Sequence, residues 1–247
     1  MSINSTADKL KKALPGFIWE PFHRISNSIL GPLCFSWETG HLKSSFKSRA
    51  VNKYGQPLPC YTYPSIEWLL GKHWIGANVL EFGCGQSTLF WDRMGASITG
   101  IEDNLIWKLK LEYKLRKTKH KFIYQDPTKY LSDNEYLRIF LRCLSTPNER
   151  SFDVICVDGC DRYSAAIWAY QLMSIDTFII INNSDDNHQS CRNDYGYIEL
   201  FNEDSKIIRM DFVGYPPGNS RAHCTSVFFY PENRRLRNQP VPVVSLV

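Results

Sequence analysis

Nowhere in the 247 residues do 18 apolar side chains run together, and no two cysteines are spaced C-x-x-C. The first absence removes a membrane-spanning helix, which needs roughly 20 such residues. The second leaves eight cysteines without a zinc or redox spacing. The nearest approach, Cys156 and Cys160, straddles a predicted strand end, and several others sit within apolar runs. Reduced, buried thiols in a cytoplasmic protein are therefore expected. The opening stretch MSINSTADKLKKALPGF lacks the apolar core of a signal peptide. No internal repeat or low-complexity block interrupts the chain.

Charge of one sign is scarce as well. The net charge is only +4, and much of the excess lies in Lys108 to Lys121 and in Arg234, Arg235 and Arg237, so no nucleic-acid footprint follows and DNA is not a favoured partner. A hydrophobic share of 43% beside 22% charged residues is that of an ordinary globular protein. At this length one α/β domain with a short extension buries roughly three quarters of its unfolded surface.

What is present is alternation. From Ile66 onward, short β-branched or aromatic runs alternate with helical patterns, which implies a parallel sheet with crossover helices. Ser65 is expected to cap a helix through Ile66, Leu69 and Leu70. Strands are expected over 78–82, 96–102, 121–124, 152–158 and 177–182, with helices over 87–94, 105–117, 136–143 and 165–173. The runs 207–213 and 225–230, separated by Gly214-Tyr-Pro-Pro-Gly218, complete a seven-stranded, mostly parallel sheet whose last strand is antiparallel. Residues 1–60 form a helical or irregular cap, 61–231 the main domain and 232–247 an extended tail. Leu14 to Trp37 is apolar but holds Glu20, His23 and Arg24, and reads as a packed lid or as the interface of a possible homodimer.

Val79-Leu-Glu-Phe-Gly-Cys-Gly-Gln-Ser-Thr88 runs a strand into a glycine-bracketed turn and then a helix. Such a turn lets a ligand approach the backbone and presents the free N–H groups of a helix start. A dinucleotide fingerprint requires a third glycine where Thr88 stands, and Glu81 at the strand end suits a cationic ligand better than a pyrophosphate.

Glu-x-Gly-x-Gly at the end of a first strand resembles the motif of class I S-adenosylmethionine-dependent methyltransferases, over roughly residues 58 to 230. Thr62-Tyr-Pro64, Ile101-Glu-Asp-Asn104 with Trp107, Val157-Asp-Gly159 with Arg162, Asn183-Ser-Asp185 and Thr225-Ser-Val-Phe-Phe229 resemble a microbial subgroup with largely unassigned substrates. The resemblance implies a Rossmann-like fold with helices on both faces, S-adenosyl-L-methionine as cofactor, and a cofactor turn made by Gly83, Cys84, Gly85, Ser87 and Thr88. It implies that Glu81 lies near the methionine amino group and that Glu102 accepts the ribose hydroxyls through its two oxygens. Asp103 or Asn104 would edge the adenine, and Asp126 would bond its amine. The subgroup usually carries His-Asp where this chain has Asp103-Asn104. Tyr61 or Tyr63 could lay an aromatic face on the sulfonium, worth about 0.5 to 2 kcal/mol.

Methyl transfer from a sulfonium asks the protein to orient the acceptor, worth about 7 to 11 kcal/mol, and to remove its proton. Asp158 ends the fourth predicted strand, and Asn182 and Asn183 end the fifth. This spacing is similar to the set that holds magnesium in metal-dependent O-methyltransferases, where Tyr163 also finds a counterpart. Asn182 replaces a carboxylate, however, and although Asp185 could supply another, magnesium is not favoured. Without metal, His188 is the best base by its ordinary pKa, with His223 a more distant candidate. Arg162 would either hold an acidic acceptor group or pair with Asp158 or Asp161. The expected activity is O-methylation of a small molecule or a glycan or secondary-metabolite intermediate. The competing readings are a nucleic-acid methyltransferase, a non-catalytic cofactor-binding subunit, and a polyamine-type or other transferase using the same pocket.

Overall fold

A computed structural model describes residues 15–115, 120–126, 151–159, 162–185 and 196–237. Two helices, α1 (Gly16–Glu38) and α2 (His41–Lys47), precede the sheet. The alternating part then runs α3 (Tyr63–Leu70), β1 (Asn78–Phe82), α4 (Gln86–Arg93), β2 (Ser97–Glu102), α5 (Leu105–Leu115), β3 (Lys121–Tyr124), β4 (Val154–Val157), α6 (Arg162–Leu172) and β5 (Phe178–Asn182). It closes with α7 (Gly196–Glu203), β6 (Ile208–Gly214), β7 (His223–Phe229) and α8 (Arg234–Arg237). The helix expected over 136–143 lies outside the described residues.

The seven strands form one sheet in the order β3-β2-β1-β4-β5-β7-β6. β1 pairs in parallel with β2 and β4, β3 with β2, and β5 with β4, while β7 runs antiparallel to both β5 and β6. The central strands read as continuous apolar runs because both of their faces are covered. On one face Val79, Ile98, Val154, Phe178 and Val227 pack with Ile66 and Leu69 of α3 and Phe90 and Trp91 of α4. On the other, Leu80, Phe82, Ile155, Ile179 and Phe228 pack with Ala165, Trp168 and Ala169 of α6 and Phe201 of α7.

Strand order reverses between β1 and β4, where ligands of open α/β sheets settle. The register shows what that crevice contains. Asn182 pairs with Thr225, and one step beyond the last ladder pairs Phe82–Ile101, Phe82–Val157 and Val157–Ile181 come Glu102, Gly83 and Asp158. A single row across the sheet therefore reads Glu102, Gly83, Asp158, Asn182, Thr225. The row two residues below reads Gly100, Glu81, Cys156, Ile180, Val227 and points to the same face.

Three elements differ from expectation. α3 starts at Tyr63, two residues before Ser65, because Pro64 fits the first turn, where no N–H is needed. Ser65 Oγ donates to Thr62 O (2.7 Å) instead of capping. α1 is a helix with no buried residue; it meets the body near its end, where Phe35 packs edge-on against Tyr63 with ring centres 5.2 Å apart. The chain beyond Pro231 is not extended as far as Arg237. α8 is docked by Arg235, which donates to Asp153 Oδ1 (Nε, 3.1 Å) and to His73 O (2.9 Å).

Asp153 also accepts from the amide of Asn78 (2.9 Å), the first residue of β1. Asp153→Ala is thus expected to lower the free energy of unfolding by about 1 to 3 kcal/mol, read from urea denaturation. Arg235→Ala should lose less, because Asn78 keeps its partner.

Candidate active site

The glycines of the turn have different causes. Gly83 has φ +88°, and a Cβ there would stand 2.6 Å from Gly159 Cα and 2.8 Å from Asp158 O. It is glycine because the chains leaving β1 and β4 press together. Gly85 is extended (φ −176°), and a Cβ there would meet nothing nearer than Trp107 Nε1 at 3.8 Å. A side chain there would make an ordinary contact with Trp107 and collide with nothing, so packing among the described residues does not require glycine at this position. Gly83, expected to touch the cofactor, is thereby accounted for by the β1–β4 contact.

Between them, Cys84 is held from both sides. Its N–H donates to Glu102 Oε2 (2.8 Å) and its carbonyl accepts from Trp107 Nε1 (2.7 Å). Its buried side chain lies against Gly100, where any Cβ would collide with the sulfur. Glu102 Oε1 accepts from the Asn104 amide (2.9 Å), and Asn104 Oδ1 accepts from Trp107 N (3.0 Å) at the start of α5. Each Glu102 oxygen retains a lone pair for a further donor. Burial raises its pKa and the neighbouring Asp103 adds to this, against the two amide bonds. Asp126 follows β3, where the amide of the preceding Gln125 donates to Glu102 O (3.0 Å). Asp103 and Asp126 are half-buried on the side of the turn that carries Glu102.

Glu81 sits one row below. It is 0% exposed, and neither of its oxygens has a hydrogen-bond partner. Burial pushes its carboxyl up to about 8, with Thr88 and Ser87 of α4 opposing and Asp158 and Glu102 adding to the shift. Thr88 Oγ1 accepts from Gly85 N (2.9 Å), which leaves its O–H free to face Glu81. A buried acid without a partner suits a cationic ligand end.

Of the two tyrosines, the structure brings Tyr61 to the site. Tyr63, the expected contact, packs its ring with Phe35 and His41. The Tyr61 hydroxyl is fully buried and unpartnered, and is pushed upward by burial with Cys156, Glu81 and Asp158 acting on it.

Across the crevice, Asp158 retains 19% side-chain exposure. Burial raises it to about 6, against the pull of Asn182 and Arg162. Asn182 Nδ2 donates to Asp158 Oδ1 (3.0 Å) and to Cys60 O (3.3 Å). Asn182 Oδ1 accepts from Thr225 Oγ1 (3.1 Å) and bonds His223 Nε2 (3.2 Å). A backbone carbonyl can only accept, so Cys60 O fixes the amide orientation and turns a donor toward Asp158. A cation beside Asp158 would face that N–H₂ group. Asp185, the other possible carboxylate, accepts from Cys224 N (2.7 Å). The residues here do not fit a magnesium cage.

Arg162 lies nearer its structural alternative. It donates from Nε to Gly159 O (3.2 Å) and from Nη1 to Asn182 O (3.1 Å), and its Nη2 is 3.9 Å from Asp158 Oδ1. Asn183 is left-handed (φ +49°) with a buried, unpartnered Oδ1. Tyr163 is 39% exposed on α6. His188, with Cys160 and Asp161, lies outside the described residues. Sequence reasoning missed the Cys60–Asn182–Thr225 network; its signal was the register, which only the paired strands supply.

No protein-family model matches the chain, and no curated protein sequence matches it. Solved structures do match. Cofactor-bound Rv0187 from MTB is 13% identical, with a TM-score of 0.53 over 83% of this chain and 97% of that one. A Klebsiella pneumoniae protein described as a candidate O-methyltransferase is 12% identical, with a TM-score of 0.50 over 84% and 96%. The chain therefore has the Rossmann-like fold of these structures.

Two outcomes follow from the turn. Gly83→Ala should lower stability by about 2 kcal/mol or more through left-handed strain and backbone collision, while Gly85→Ala should leave the melting temperature in place. Folded Glu81 keeps its proton to about pH 8, against an ordinary value of 4.5. It therefore adds stability that is complete below about pH 4.5 and lost as pH rises through about 8. Glu81→Gln should gain melting temperature over wild type between about pH 5 and about pH 8; parallel melting curves would contradict this.

Proposed function

We propose that the chain is an S-adenosylmethionine-dependent methyltransferase acting on an oxygen of a small-molecule acceptor. The observation that carries the reading is the turn itself, with a glycine at 85 that packing does not require, a buried unpartnered acid at Glu81 and a strand-end carboxylate at Glu102. Glu81 fits the cationic methionine end, Glu102 the ribose hydroxyls, Asp103 and Asp126 the adenine edge, and Ser87 and Thr88 line the start of α4. The cofactor supplies a methyl group already activated on sulfur.

The protein's share is orientation and proton removal. Asp158 is the proposed base. At neutral pH it is ionised, since its pKa lies at about 6, and the Asn182 N–H and Arg162 hold its carboxylate in place. No metal takes part in this step. Asn183, which follows β5, is proposed to contact the acceptor, and His188, outside the described residues, is the alternative base. Among the described residues Cys84, Cys156 and Cys224 are free and buried, whereas Cys34 and Cys60 are free and exposed, against the expectation that the thiols are buried. A cytoplasmic setting is proposed from the unpaired thiols.

The proposed partner of α1 is a second copy of the chain. Phe22, Ile25, Ile29 and Leu33 recur at helical spacing and are 51%, 62%, 60% and 63% exposed. Arg24 on the same helix is matched by Glu20 (3.5 Å), which gives no basic face for an anionic membrane. Among the described residues no helix is long and apolar enough to cross one. Light scattering should give a dimer that Ile25→Asp with Leu33→Asp converts to a monomer.

Turnover is tested by incubating metabolite extracts with isotopically labelled methyl donor. With the acceptor so found, Asp158→Asn should lower kcat by about 10²- to 10⁴-fold, and the wild-type rate should fall on acidification through about pH 6. Near-normal turnover by the variant would remove Asp158 from the chemistry. Glu102→Gln should weaken cofactor binding roughly tenfold or more.

A further inference from the structure

We propose that Glu81 couples cofactor binding to a proton: its carboxyl is neutral in the unliganded chain, ionises when a cationic ligand settles on the turn above, and is reprotonated when that ligand leaves. This rests on the S-adenosylmethionine reading and goes beyond it. In the step, the O–H bond of the Glu81 carboxyl breaks, the electron pair stays on the carboxylate, and the proton passes to solvent.

The geometry behind it is a cluster of buried polar groups below the turn. Glu81 and Cys156 are register partners on β1 and β4, facing the side of the sheet where Tyr61 and Trp91 are buried. Glu81, Tyr61 and Trp91 are each 0% exposed, and four of their polar atoms have no hydrogen-bond partner: both Glu81 oxygens, Tyr61 Oη and Trp91 Nε1. The groups acting on Glu81 are Ser87 and Thr88 from α4, Asp158 after β4 and Glu102 from β2; none is a cation. Cys156 and Tyr61, packed in the same core, are both pushed upward by burial and stay neutral. An ionised carboxylate here would lose its water with no positive charge in return, so it holds its proton instead. A cation above reverses that balance, and the Tyr61 hydroxyl is a rotatable donor for the charge that appears.

The test is calorimetry of S-adenosylmethionine binding at about pH 7, in two buffers of different ionisation enthalpy. Wild type should release about one proton per cofactor bound and Glu81→Gln about none. Between about pH 6 and about pH 7, below the titration of the cofactor's own amino group, wild-type affinity should rise by up to about tenfold per pH unit, and the variant's should not. Should the variant fail to fold, the carbon-13 resonance of the wild-type Glu81 carboxyl must move from its neutral to its ionised position on adding cofactor. Binding without proton exchange, or equal release by Glu81→Gln, overturns the proposal and leaves the methyltransferase reading standing. No binding in either buffer overturns both.

Discussion

Gly83 can stand only where the chains leaving β1 and β4 press together, and that contact organises the surrounding site. A side chain at Gly83 would drive the turn away from Gly159 and Asp158. With the two chains in contact, the row Glu102, Gly83, Asp158, Asn182, Thr225 closes across the sheet, and the groups that could hold a ligand and work on it lie on one line. Five strands contribute to it, although the residues are widely separated in the chain.

The row and the one below it carry three acids, Glu102, Asp158 and Glu81, and the protein handles them differently. Glu102 is held by two backbone amides, which help to keep it in place as an acceptor. Asp158 is held by the Asn182 amide and by Arg162, and its pKa of about 6 leaves it ionised yet basic enough to take a proton near neutrality. Glu81 has only the hydroxyls of Thr88 and Ser87 to oppose its burial and is pushed up to about 8. The differences come from which neighbour donates, since all three are raised first of all by burial.

Much of this was legible in the chain. The apolar runs around Val79, Val154 and Phe178 marked strands buried on both faces, and the order of strands and helices implied the sheet with its antiparallel last strand. Glu81 and Glu102 stood at strand ends by spacing alone. The division of labour between Tyr61 and Tyr63 was not legible, because it depends on α1 delivering Phe35 to one of them. The orientation of Asn182 was hidden too: it is set by the Cys60 carbonyl, 122 residues away, and by Thr225 across β7. α8 was not legible because four residues show no periodicity; Asp153, Asp176, the His73 carbonyl and the core contact of Leu236 make them a docked turn.

The central claim is that this row and the turn at Gly83 to Gly85 receive a sulfur-bearing nucleoside. A crystal structure of the chain with S-adenosylhomocysteine tests it most directly. The account predicts the ribose hydroxyls on Glu102 and the amino-acid end over Glu81. A nucleoside bound elsewhere on the sheet, with Glu102 and Glu81 untouched, would contradict it.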